Sequence, residues 1–189
     1  MSRPRRIAGY AIVSEDGMLA NAAGIMPDSL KFDADRQFFE RALDGVDMVV
    51  HGRHSAERQP HSHLRRRLTL TRQVPAIAID PSNDKALLWN PAGASFEEAM
   101  AALGTPDGSV GVIGGTMVFG MFLDRYDFFH LSRAPGVHLP GGRPVFPGVP
   151  KRTPEEVLAS HGLVPGRQRV LDPAKGLVVV SWQRSSNPG

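Results

Sequence analysis

The sequence contains no cysteine. Disulfides, thiolate metal sites and cysteine nucleophiles are excluded on that count alone. Long apolar segments are missing as well. The N-terminus is basic, but Gly9, Tyr10 and Ser14–Glu15–Asp16 interrupt any hydrophobic stretch that follows it. Neither the core of a secretory leader nor a bilayer-spanning run is expected, so the expected location is cytoplasmic, with no membrane partner. Charge of one sign is scarce too: 22 basic side chains stand against 19 acidic ones, a net of +3. A nucleic-acid-binding protein normally carries a broad basic stripe. Here the basic residues gather in two short clusters, Arg3–Arg6 and Arg65–Arg67, which suit small anionic ligands better than a polyanion. Three widespread motifs are also lacking: the G-x-G-x-x-G turn, the P-loop and the G-x-S-x-G elbow.

What is present is a chain of 189 residues, 41% of them hydrophobic and gathered in discrete runs. That length suits one domain with a real core, expected over 1–184 with a flexible tail at 185–189. Short apolar runs alternate with helical patterns, which predicts an α/β domain with a mostly parallel sheet. Strands are expected at 7–13, 48–51, 68–71, 76–80, 86–89, 110–113 and 128–132, with an antiparallel pair from 170–171 and 177–182. Helices are expected at 33–44, with Asp33 as its N-cap, and at 116–123. Two more are marked by the capping boxes Ser95-x-x-Glu98 and Thr153-x-x-Glu156. The Pro/Gly-rich stretch 135–150 reads as a long surface loop.

Polar residues cluster where the strands end, the place at which an open α/β sheet holds its ligand. His51–Gly52–Arg53–His54–Ser55 follows one strand, and Thr71–Arg72 follows the next. Each is either an ordinary polar loop or a phosphate contact. Gly114–Gly115–Thr116 lies between a buried strand and a helix start, where backbone amides can meet a pyrophosphate; a tight packing turn is the alternative. Asp28, Asp33 and Asp35 surround the start of the first helix, where caps and dipole partners are common. His61-x-His63 has ligand spacing for a metal but no evident third ligand, so no metal is expected.

In order, these segments resemble the dihydrofolate reductase superfamily, which includes the reductase domain of riboflavin biosynthesis. The likeness runs from Ile7 to about Pro147. It covers Ile7–Val13 with Asp16–Gly17, then Gly24–Ile25–Met26–Pro27, then Val49–Ser55 with Glu57. It continues through Arg65–Gln73, Val112–Gly115 and Gly141–Pro147. The resemblance implies one central mixed sheet of about eight strands flanked by helices, with an antiparallel C-terminal edge. It implies NADPH as cofactor, held by Gly52, Arg53, His54, Ser55, Thr71, Arg72, Gly114, Gly115 and Thr116, with a cis peptide between the two glycines. Asp35, or Asp33 as the alternative, would be the catalytic acid. Met26, Phe39, Arg65 and Phe119 would line the substrate, with Arg65 meeting an acidic tail.

Departures fall on the substrate side. Asp28 stands where folate reductases have a tryptophan, and Arg143 where they have an acid. The implied activity is hydride transfer to a pterin-like or other small heterocycle. A riboflavin-type reductase acting on a ribosylaminopyrimidine phosphate, and a non-catalytic NADPH-binding protein, are the alternatives. A small-molecule substrate is the expected partner; a homodimer stays open.

Overall fold

The computed structural model describes residues 6–56 and 58–185. Ile7–Val13 (β1) is apolar without alternation, as a strand covered on both faces must be. It lies inside a nine-stranded sheet. Met18–Ala20 (β2), Asp33–Asp44 (α1), Met48–Gly52 (β3), Arg66–Leu70 (β4), Ile77–Ile79 (β5) and Ala86–Trp89 (β6) follow. Then come Phe96–Ala102 (α2), Val110–Val112 (β7), Thr116–Met121 (α3) and Phe128–Arg133 (β8). The chain continues through Arg143–Pro144 (β9), Pro154–Ser160 (α4), Leu163–Asp172 (β10) and Leu177–Arg184 (β11).

The strand order is β10-β11-β8-β1-β7-β3-β4-β6-β5. The six strands from β8 to β6 are parallel, and β5, β11 and β10 run antiparallel to their neighbours. The mixed sheet with an antiparallel C-terminal edge is therefore as expected, with nine strands in place of about eight. β10 is much longer than residues 170–171 alone. Its run Val164–Arg169 includes Pro165 and Gly166 and shows no apolar alternation, a composition tolerated on an edge strand.

Successive side chains of β1 point to opposite faces, which fixes where the helices pack. Tyr10 meets Phe39 of α1 edge-on, with ring centroids 6.0 Å apart. Gly9 points the other way, where a Cβ would stand 2.4 Å from the Phe129 ring. That ring packs against Phe119 of α3 and Phe146, while Phe96 of α2 meets Phe122. Helices thus cover both faces.

Both capping boxes form. The Ser95 and Thr153 hydroxyls each accept an N–H three residues on, and Glu98 and Glu156 reach back. Asp33 is not a cap. The N-cap of α1 is Phe32, and the Asp33 carboxylate turns outward to Arg36 at 3.1 Å. The stretch 135–150 is largely exposed and irregular, as a surface loop would be, but it is anchored in the fold. Arg143–Pro144 pairs with β2, and Val145 and Phe146 are fully buried. Asp16 holds the approach to it by accepting the Leu139 N–H. Glycine and proline are dense here, and they mask two apolar anchors. Arg3 and Arg5 of the first basic cluster, Glu57, and residues 186–189 of the expected tail lie outside the described residues.

Candidate functional site

The parallel strands β3, β7, β1 and β8 all end on one side of the sheet. With adjacent strands about 4.8 Å apart, groups carried by β7 and β8 stand about 10 Å from each other across β1. The candidate site has two halves separated by that distance.

The first half is made of backbone. The Gly52 N–H donates to the Gly114 carbonyl at 2.8 Å, and the Ser55 N–H to the Gly52 carbonyl at 3.0 Å. The Gly114–Gly115 peptide is cis. A Cβ on Gly115 would stand 3.2 Å from the Ser55 Oγ, and one on Gly52 would reach the Gly115 nitrogen at 3.7 Å. Glycine at these positions lets the two strand ends close on each other and leaves a bare backbone surface. Around it Arg53, His54 and Arg72 are exposed, and among the described residues none of them has an ion-pair partner. Because Gly52 pairs with Leu70, Arg53 and Thr71 leave adjoining strand ends together. Thr71 is nearly buried and shapes the turn: its hydroxyl accepts the Gln73 N–H at 3.1 Å. Thr116 is committed elsewhere, since its hydroxyl donates to the Pro144 carbonyl and fastens α3 to β9.

The second half is a carboxyl. Asp35, in the first turn of α1, faces the sheet and is hydrogen-bonded to the buried Ser132 of β8. Burial pushes its pKa above the ordinary carboxylate value, and the Ser132 bond offsets only part of that rise. Asp33 is 84% exposed at its side chain and paired with Arg36. Asp28 is 96% exposed and paired with Lys31. Of the three acids only Asp35 turns inward.

The remaining expected residues divide. Phe39 lies against Tyr10 under α1. Met26 is partly exposed in a loop that Asn21 ties by accepting the N–H groups of Ala23 and Ile25. Phe119 is core rather than a ligand surface: it is 1% exposed and wedged against Phe129 and Phe146. Arg65 does not reach toward a substrate. Its guanidinium is buried against Asp44 at 2.6 Å and the Leu43 carbonyl at 3.2 Å. A cation adjoining a helix C-terminus finds carbonyls to bond, which sequence order alone does not show. Among the described residues no group of three potential ligands could hold a metal.

Sequence reasoning missed Ser132, a lone small hydroxyl that follows Phe128–Leu131 in the strand. It also missed Tyr10 and His130, stacked at 5.0 Å beneath α1. Burial drives the Tyr10 pKa up to about 12 and the His130 pKa down to about 4.

No family model matches the sequence, and no curated protein matches it. Solved structures do. A putative riboflavin biosynthesis protein from Shewanella sp. PV-4 aligns with a TM-score of 0.67 at 19% identity, covering 95% of this chain and 99% of its own. A diaminohydroxyphosphoribosylaminopyrimidine deaminase/5-amino-6-(5-phosphoribosylamino)uracil reductase from Thermotoga maritima aligns at 0.68 and 16% identity. The alignment covers 96% of this chain and 57% of the Thermotoga one. Dihydrofolate reductase from Enterococcus faecalis, complexed with NADP(H) and RAB-propyl, aligns at 0.62 and 17% identity, covering 96% and 97%. The chain has the dihydrofolate reductase-like fold.

Proposed function

We propose that this chain is an NADPH-dependent reductase that delivers hydride to a small heterocycle held by Asp35. The observation that carries the reading is one inward carboxyl, Asp35, standing about two strand spacings from the glycine-lined backbone of 52–55 and 114–115. The residues present suit a dinucleotide phosphate. Ser55 and bare amides lie in the crevice, and Arg53, His54 and Arg72, which have no ion-pair partner among the described residues, stand at its rim. Bound there, a reduced nicotinamide supplies the hydride.

The chain's own residues do the rest. Asp35 grips adjacent N–H groups of the heterocycle through paired hydrogen bonds. Ser132 fixes the carboxyl against the sheet, so those bonds have one direction. A carboxyl that releases its proton reluctantly favours protonation of the nitrogen or oxygen of the C=N or C=O bond whose carbon accepts hydride. Arg72 and Arg53 meet the 2′-phosphate of the adenosine, which separates NADPH from NADH.

Within this reading, a ribosylaminopyrimidine phosphate is the favoured substrate over a pterin. Supporting it are the riboflavin-biosynthesis neighbour that this fold matches along its whole length and Arg143 at a position where folate reductases carry an acid. The test is NADPH oxidation with dihydrofolate, other pterins and ribosylaminopyrimidine phosphates, beside fluorescence titration of NADPH and NADH. We expect turnover with one of these classes and NADPH at least about tenfold tighter, one charge-assisted contact being worth roughly 1.5–3 kcal/mol. Equal affinity for the two cofactors removes the cofactor assignment. Tight NADPH binding without turnover on any of them leaves a nucleotide-binding protein instead.

A further inference from the structure

One strip of the sheet buries polar side chains where apolar ones are the rule. His51 of β3 and Arg67 of β4 are only 2% and 7% exposed. Met48, Val50 and Leu68 enter the main apolar core, and alternation places His51 and Arg67 on the opposite face. With Val49 opposite Arg67 and His51 opposite Thr69, the two side chains are diagonal neighbours across the parallel pair. An apolar pair would fill this strip without the cost of desolvating a guanidinium.

What the polar pair adds is direction. The His51 Nδ1 lies 2.8 Å from the Gly52 carbonyl. A carbonyl only accepts, so Nδ1 carries the proton and Nε2 is left as the acceptor. Arg67 Nη1 faces that Nε2 at 3.4 Å, and its Nη2 donates to the Ser62 carbonyl at 2.5 Å. The Gly52 carbonyl also accepts the Ser55 N–H, and the Gly52 N–H donates to Gly114. One guanidinium is thus tied to both ends of the segment between β3 and β4: to Ser62 directly, and to Gly52 through His51. That segment carries Arg53, His54 and Ser55. Its far end is a compact turn over Ser62–Leu64, entered through His61 at a left-handed φ of 67°. Arg65 touches the same segment at the Pro60 carbonyl, but its bonds to Leu43 and Asp44 run to the end of α1.

We propose that Arg67 and His51 are positioning residues for the dinucleotide, an inference that rests on the NADPH reading above. Neither touches the cofactor. Together they hold the two ends of the 53–64 segment in register, so that Arg53, Ser55 and the bare amides are in place before the phosphates arrive. A site set in advance is spared the cost of ordering its side chains and loop on binding.

Fluorescence titration of the full chain with NADPH and with NADH tests this. His51→Leu and Arg67→Met should each weaken both dinucleotides about tenfold, because the diphosphate is common to the two. The residues act through one chain of bonds, so the double variant should lose no more than either single one. His51→Gln, whose amide oxygen can accept from Arg67 in place of Nε2, should recover most of the affinity. Amide hydrogen exchange over 53–62, read without cofactor, should quicken in the first two variants and return toward the parent in His51→Gln. Thermal unfolding shows which variants are folded. Folded variants that bind both dinucleotides as the parent does overturn the inference and leave the proposed function standing. So do losses that simply add, or an equal loss in Arg65→Met, which removes a buried arginine without touching the strand end. A parent that binds neither dinucleotide overturns the proposed function and this inference with it.

Discussion

Arg65, Arg66 and Arg67 turn their guanidinium groups onto the protein itself, whereas Arg53 and Arg72, on the neighbouring strand ends, turn theirs to solvent. Arg65, just ahead of β4, and Arg66, its first residue, reach the ends of two helices. Arg65 bonds the Leu43 carbonyl and Asp44 at the end of α1, and Arg66 bonds the Leu103 carbonyl at the end of α2. Arg67 reaches the Ser62 carbonyl and approaches the His51 Nε2 at 3.4 Å. Helix C-termini present unbonded carbonyls and the negative pole of the macrodipole, so cations there are already satisfied. Arg53 and Arg72 meet no such partner among the described residues. The acids of α1 divide in the same manner: Asp33 is neutralised by Arg36, and Asp35 is held inward by a hydroxyl. Groups of equal charge are thus sorted by whether the fold has already answered them. Those it has not answered are the ones available to a ligand.

The strongest break in that contrast should come from Asp35→Asn. Turnover should fall about 100-fold or more, the usual contribution of one positioned acid–base group, while NADPH affinity holds. Stability should move the other way. The Asp35 pKa is raised in the folded state, so its favourable contribution is present at low pH and is lost as pH rises through the folded value. Denaturant melts should therefore show the Asn variant gaining on the parent as pH increases. A flat difference would mean the carboxyl is not desolvated.

Next in size is Arg65→Met, which leaves the Leu43 carbonyl and Asp44 without their partner. Unfolding should cost about 2 kcal/mol less, below the usual figure for a broken buried pair because Asp44 is half exposed. The folded fraction should bind NADPH as the parent does. A loss of affinity with no loss of stability would return Arg65 to the ligand side.

Arg72→Ala should give the converse result: NADPH binding weakened about tenfold, NADH binding unchanged and the unfolding midpoint unmoved. Salt should weaken NADPH more than NADH in the parent and lose that bias in the variant. The smallest effect belongs to Asp33→Ala, which should match the parent in turnover, since its carboxylate is already paired in solvent. If Asp33 rather than Asp35 carries the loss, the inward geometry of α1 has been misassigned.

The sequence made the site's backbone readable, because glycines at strand ends have few other uses and Gly52, Gly114 and Gly115 fall there in order. Capping boxes fixed α2 and α4 for the same reason: the chemistry is local. What stayed hidden depends on contacts between distant positions. Ser132 acquires meaning only when β8 lies under α1, nearly a hundred residues away in the chain. Arg65 and Phe119 were assigned to the substrate because order along the chain does not say which way a side chain turns. Val145 and Phe146 were lost in a Pro/Gly-rich stretch whose composition resembles a loop and whose apolar pair is core.

The position of β1 also governs how the chain comes into being. Its sheet partners are β7 and β8, with Ile7 opposite Val110 and Ala8 opposite Phe128. At a synthesis rate of about 5–20 residues per second, roughly 5–20 s pass between the emergence of β1 and that of its first partner. For that interval a strand of alanine, isoleucine, valine and tyrosine has no sheet neighbour, whereas β3 and β4 pair at Met48 and Arg66, and β4 and β6 at Arg67 and Ala86, soon after each emerges. Long-range pairing of this kind makes for slow folding. The nascent protein therefore depends on whatever shields its first apolar strand until the centre of the sheet can be laid down.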